Sequence, residues 1–127
     1  MIIHTDIIAG PFKYSPKGRI ALSRYVADGS VAILVQDPET GEPLLTASVL
    51  PHGFSPPEGH VYIKAWSENE GCDDAFERAG LVEATEGLAP CGYEAATLYR
   101  MTGDLAKWLE RLPSATDFHN ALSDSAA

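Results

Sequence analysis

The chain has 127 residues, 45% of them hydrophobic and 9% aromatic, which suits one domain with its own core and excludes a disordered segment. Eighteen acidic residues against nine basic ones give a net charge of −9, which opposes binding to a nucleic-acid backbone or an anionic membrane. No apolar run reaches the ~18 residues of a membrane-spanning helix, and Met1-Ile2-Ile3-His4-Thr5-Asp6 lacks the basic start of a signal peptide, so a cytoplasmic protein is expected.

In chain order, Ile2 to Ile8 is β-branched and stops at Ala9-Gly10-Pro11, which predicts a first strand, followed by a loop over 12–18. A second strand is predicted over 19–26. Asp28-Gly29 then marks a two-residue hairpin turn, and Val31, Ile33 and Val35 alternate on a returning strand with two apolar faces, suited to the middle of a sheet. The turn 37–43 leads into a strand over 44–50, completing a meander. Three prolines and two glycines make 51–59 an extended loop, and His60 to Trp66 resumes strand alternation.

Ser67 and Glu70 have the spacing of a capping box, in which each side chain takes a free backbone donor at a helix start. Cys72, Ala75, Phe76 and Ala79 follow at i, i+3, i+4 and i+7, and Gly80 supplies a left-handed stop, so a short helix with one apolar face is predicted over 69–79. Leu81-Val82 reads as a brief extended piece and 83–92, with Gly87 and Pro90, as a loop. A strand is predicted over 93–101. Thr102 then caps a second helix, where Leu105, Trp108, Leu109 and Leu112 recur at helical spacing before Pro113. One more turn carries Phe118. The pattern predicts an α+β fold, with a mainly antiparallel sheet of about five strands and about two to three short helices gathered toward one face. Residues 1–122 form the single domain, and 123–127 a flexible tail.

Charge is unevenly spread. Residues 1–26 carry a net +3, whereas 27–99 hold thirteen acids against Lys64 and Arg78, a net −11. The densest part is Glu68, Glu70, Asp73, Asp74, Glu77, Glu83 and Glu86, seven acids within nineteen residues that contain one base, Arg78. Such a face either keeps the protein soluble or docks on a basic partner. These seven residues are the candidate partner-binding set.

Chemistry-bearing motifs are scarce. His4-x-Asp6, His52 and His60 match no zinc spacing, and no metal or cofactor is predicted. Cys72, near a helix start, would be a nucleophile only with His52 or His60 beside it, and Glu70, Asp73 and Asp74 oppose thiolate formation. Its place on the apolar stripe favours a core thiol, and with Cys91 it is too little for a disulfide framework. No glycine-rich phosphate loop or nucleophile elbow is present.

At Ile63-Lys64, Ser67-Glu68-Asn69-Glu70-Gly71 and Ala79-Gly80-Leu81-Val82, from about Arg19 to about Met101, the chain resembles an uncharacterised family of small proteins carried by plasmids, phages and integrative elements. The resemblance brings no established activity or site residue. What it implies is a context, since mobile elements carry small acidic proteins that block host defence, anti-restriction and anti-CRISPR inhibitors among them. Two expectations follow. The first is a non-enzymatic interaction module that meets a basic surface of a host nucleic-acid-processing complex. The second is a small cytoplasmic enzyme or ligand-binding domain using Cys72, His52 or His60 beside the proline-rich loop. The Leu105, Trp108, Leu109 and Leu112 stripe is expected to be core, with a homodimer contact as its alternative.

Overall fold

In the computed structural model, which describes residues 1–126 and side chains as far as Ser123, the strands form two antiparallel sheets of four. The first holds β1 (Ile3–Ala9), β2 (Gly18–Arg24), β3 (Val31–Gln36) and β4 (Pro43–Thr46), in that order. The second holds β5 (Ser48–Val49), β6 (His60–Ile63), β7 (Val82–Cys91) and β8 (Glu94–Met101), in the order β5-β6-β8-β7. The α+β class and antiparallel pairing are as expected from the sequence. The division into two sheets is new, and it is made at Ala47. The Ala47 N–H donates to the Ile33 carbonyl at 2.9 Å in the first sheet, while its own carbonyl accepts from the Lys64 N–H at 2.9 Å beside the second. The strand expected over 44–50 is therefore two strands in two sheets, joined through one fully buried residue.

One core serves both sheets. Ile20, Leu22, Ile33 and Val35 of the first sheet meet Val61, Ile63, Val82, Tyr99 and Met101 of the second, and the helices add Cys72, Ala75, Phe76 and Leu105. β1, β2, β3, β6 and β8 contribute alternate residues, as a pleat that turns one face to this core requires, and β7 contributes Val82 alone. A smaller cluster of Tyr62, Ala89 and Ala96, with Trp66, Leu98 and Cys91 packed against it, forms on the second sheet. The central place read for the 31–36 strand is confirmed, since β3 lies between β2 and β4 with Val31, Ala32, Ile33 and Val35 all buried.

Four local expectations are corrected. The turn at Asp28-Gly29 is not a two-residue one: the Tyr25 N–H bonds the Ser30 carbonyl at 2.8 Å, leaving residues 26–29 as the connection, and only Gly29 takes a positive φ, of 77°. Asp28 turns its carboxylate back to the Ser30 N–H and hydroxyl, at 2.8 and 2.6 Å, which fixes the longer turn. The capping box does not form either. Ser67–Asn69 is a separate 3-10 turn, Glu70 is extended with ψ 128°, and Gly71 with φ 84° reverses the chain before α1 (Cys72–Arg78). Tertiary partners separate the pair: buried Asn69 donates its amide to the Thr46 carbonyl at 2.7 Å, and Lys13 reaches the Ser67 carbonyl and the Glu70 carboxylate.

Third, the loop expected over 83–92 is the body of β7, the outermost strand of its sheet, where a proline need cost no ladder bond. Gly87 serves close packing there, because a Cβ on it would lie 2.9 Å from the Leu98 Cβ. Fourth, the single turn expected to carry Phe118 is a longer helix, α3 (Ala115–Ala126). The flexible tail expected over 123–127 overlaps its end, and Ala127 lies outside the described residues.

The ends of α1 and α2 (Gly103–Leu109) show what local signals do achieve. Gly80 at φ 72° follows α1 with its N–H on the Glu77 carbonyl and the Leu81 N–H on the Phe76 carbonyl, both at 3.0 Å, a Schellman stop. Ala79, expected on the buried stripe, is exposed beside it. Thr102 stands at the start of α2 as expected, though its hydroxyl donates to the Gly80 carbonyl at 3.1 Å and not to its own helix. The α2 stripe is spent inside the chain: Leu105 is fully buried, Leu112 is buried past the helix end, and Trp108 and Leu109 pack half-buried against the core.

Leu105→Ala should therefore destabilise the fold by about 3 kcal/mol, the cost of an unfilled core site, and Trp108→Ala by less, since half of that ring already faces water. Urea unfolding of both variants checks the order, and a Trp108→Ala loss larger than that of Leu105→Ala would contradict the packing.

Candidate functional site

The acidic segment is built on α1 and the start of β7, and its seven acids divide by what each one meets. The Glu68 carboxylate accepts from Lys64 at 2.6 Å, and that hydrogen bond holds it below the usual carboxylate range. Glu70 meets Lys13 at 3.4 Å, Asp74 meets Arg78 at 2.7 Å, and Glu83 meets Arg100. Asp73 and Glu77, one turn apart on α1, both lie 3.3 Å from the Tyr99 hydroxyl of β8. Glu86 is exposed and has no cation partner among the described residues. Four of the seven are thus paired, with Lys13, Lys64 and Arg100 arriving from outside α1, a pairing the linear sequence shows only for the i,i+4 contacts.

Tyr99 is a part of this site that the sequence did not reveal. The residue is 5% exposed and its phenol carries one proton between two carboxylates. Burial, then the charges of Asp73 and Glu77, raise its pKa well above the ordinary 10.0. The sequence placed Tyr99 only within the strand predicted over 93–101, while its partners lie more than twenty positions upstream.

The nucleophile constellation is not assembled. Cys72 is 1% exposed, and burial, with the Asp73 charge adding to it, pushes its thiol up to about 12 from 9.0. His52 is exposed, and the His60 ring lies 3.1 Å from the Glu58 carbonyl. The metal reading of His4 and Asp6 fares no better: His4 pairs with Gln36 at 3.0 Å, and Asp6 accepts from the Trp108 indole N–H at 3.2 Å. Among the described residues no group of three or more potential ligands stands together for a metal ion.

A concave feature does exist, elsewhere. A cleft of about 800 Å³ opens between the end of α2 and the start of α3, with the Arg24 and Glu58 pair in its wall and none of Cys72, His52 and His60 in its lining. Arg24 donates to the Pro113 carbonyl at 2.6 Å, to the Gly29 carbonyl at 2.9 Å, and to both Glu58 oxygens at 3.1 and 3.0 Å. No local pattern links these residues, since Arg24 and Glu58 are 34 positions apart.

Comparisons with protein-family models, with curated proteins and with solved structures give no match. Among the described residues no helix is long and apolar enough to cross a membrane.

Two outcomes follow from the buried thiol and phenol. A thiol reagent at neutral pH should label one cysteine readily, the half-buried Cys91, and reach Cys72 only on unfolding; rapid labelling of Cys72 would contradict its burial. Above its ordinary pKa of 9.0 the unfolded Cys72 loses a proton that the folded chain keeps to about 12, so stability should fall as pH rises through that window. Tyr99 adds to the loss in the same direction above pH 10.0. Urea midpoints should hold up to about pH 9 and then decline, and Cys72→Ala should delay the onset toward the tyrosine range.

Proposed function

We propose that this chain is a non-enzymatic interaction module of the cytoplasm that docks on a basic surface of a partner protein through the acidic face of α1 and the start of β7. The observation that carries the reading is the contrast between two kinds of residue. Six of the seven acids are exposed and Asp73 is half-buried, whereas Cys72, the one candidate nucleophile, is sealed in the core as a thiol. An enzyme built on Cys72 needs the reverse arrangement. The resemblance at Ser67-Glu68-Asn69-Glu70-Gly71 supports a host nucleic-acid-processing complex as the class of partner, with blocking of its work as the outcome. A protein of net charge −9 approaches such a basic surface faster than a neutral one does, and salt weakens the effect.

The decisive variant must reverse charge without disturbing the Tyr99 hydroxyl, so Asp73 and Glu77 are left in place. Glu70→Lys, Asp74→Lys and Glu86→Lys together alter three exposed side chains and break only exposed ion pairs. The variant should fold with near-unchanged stability. Its association with a partner captured from a host lysate should slow by about tenfold or more at low salt, measured by stopped-flow mixing. A folded variant that associates at the parent's rate overturns the reading and leaves the face a solubilising surface.

A further inference from the structure

We infer that the cleft between α2 and α3 anchors a basic side chain of the partner, an arginine or a lysine, that enters head first and lays its stem between the two helices. The inference rests on the reading that the partner is basic, and it adds a second, concave contact to the α1 face. The volume, about 800 Å³, falls within the ~300–1,000 Å³ of pockets that hold ligand-sized groups. Its lining includes Leu109, Leu112 and Pro113, an apolar surface that a side-chain stem can cover.

The sign of the charge it accepts follows from what its charged groups already do. Arg24 is spent: its side chain is 2% exposed and its guanidinium makes four hydrogen bonds, two of them to Glu58, so that wall is rigid and electrically neutral. Arg111 keeps its charge but is drawn onto the Trp108 ring, 4.1 Å from its centroid, so the two arginines and three carboxylates of the lining leave one negative charge in excess. Glu110 and Asp117 have no cation partner among the described residues. Glu110 stands at the C-terminal end of α2, where the last helical carbonyls add negative potential to its own charge. Asp117 lies in the first turn of α3, where the dipole offsets part of its charge, so Glu110 is the stronger pole. An anion entering the cleft meets these two carboxylates, whereas a guanidinium or ammonium pairs with them while its methylenes cover the apolar lining.

The test is a titration of the whole 15N-labelled chain, followed by NMR, with acetyl-arginine amide and with acetyl-citrulline amide, its uncharged near-isostere. Arginine amide should produce saturable shifts at residues 106–117 and at the Arg24 Nε–H, with an apparent affinity in the millimolar range and about fivefold or more tighter than citrulline amide. Glu110→Gln with Asp117→Asn, both exposed, should reduce arginine amide to the citrulline level while leaving the rest of the spectrum in place. Equal binding of the two probes, no binding of either, or arginine binding that survives the double variant overturns the inference. So does a concentration-dependent shift of the same residues without probe, which would mean that a second copy of the chain fills the cleft. The charge-reversal variant of α1 separates this result from the wider reading. If shifts at the cleft persist in that variant while partner association is unslowed, the α1 face fails and the cleft stands; if arginine amide perturbs only α1 and the variant abolishes it, the cleft fails and the face stands.

Discussion

A buried guanidinium organises the irregular half of this molecule. Arg24 ends β2 on its core-facing side, 6% exposed, where an unpaired charge would be prohibitive. It is satisfied by three segments that have little backbone ladder of their own: the hairpin connection at Gly29, the proline-rich loop at Glu58, and the turn between α2 and α3 at Pro113. Each of these is distant in sequence from the others, so local propensity, which through Asp28 shapes the hairpin connection itself, cannot bring the three together. The planar fork explains why arginine serves here, since Nη1 and Nη2 grip one carboxylate while Nε and Nη1 reach two carbonyls in different directions. The hairpin and α3 are held against each other so closely that a Cβ on Gly29 would lie 2.9 Å from the His119 Nε2.

The regular half depends on a different device, used twice. In β1 the pairing with β2 slips between His4 and Ile8, and buried Thr5 fills the gap: its hydroxyl donates to the Ile20 carbonyl at 2.6 Å and accepts from the Ile7 N–H at 3.0 Å. In β7 the pairing with β8 slips between Ala84 and Leu88. Thr85 does the same work there, donating to the Leu98 carbonyl at 2.7 Å and accepting from the Gly87 N–H at 3.0 Å. Each bulge occurs on an edge strand, where a shift of register can be absorbed without disturbing a second neighbour. The threonine keeps the exposed-to-core alternation intact on either side of the slip, so that Ile7 and Ala9 in one strand still reach the core.

These two devices mark the limit of what the sequence shows. Alternation pointed to β3 and β6, and a β-prone composition to β8, although the burial of none of the three keeps a strict period of two, and the spacing of Leu105, Trp108, Leu109 and Leu112 found the face of α2 because packing and period agree there. Punctuation was less dependable. Gly87 and Pro90 suggested a loop, yet they satisfy an edge strand, where a glycine gives room for Leu98 and a proline opposite Ala95 has no second neighbouring strand to need its missing N–H. Ser67 and Glu70 had capping spacing, but the bonds that Asn69 makes to Thr46 and Lys13 makes to Glu70 are long-range, and they redirect the chain before a helix can start. Likewise, the sevenfold acid count and the i,i+4 spacing of Lys64 to Glu68 were legible, whereas the arrival of Lys13, Arg100 and Tyr99 among those acids was not.

That pairing changes how the acidic surface acts at different distances. Beyond about 8 Å at physiological salt an individual exposed charge is screened, and a Glu70–Lys13 or Asp74–Arg78 pair projects little field in any direction. What an approaching molecule senses is the surplus over the whole chain, net −9. At contact the order reverses, because a paired carboxylate must first give up its lysine or arginine before it can serve a new cation. Among the described acids of the α1 face and the cleft, the groups with no such exchange to make are Glu86 on β7, Asp73 and Glu77 sharing the single proton of Tyr99, and Glu110 and Asp117 at the cleft. In the docking proposed above, long-range attraction would follow the whole surplus, to which every acid contributes, whereas contact would draw on the unpaired acids alone, so a change at an exposed ion pair alters encounter more than anchoring.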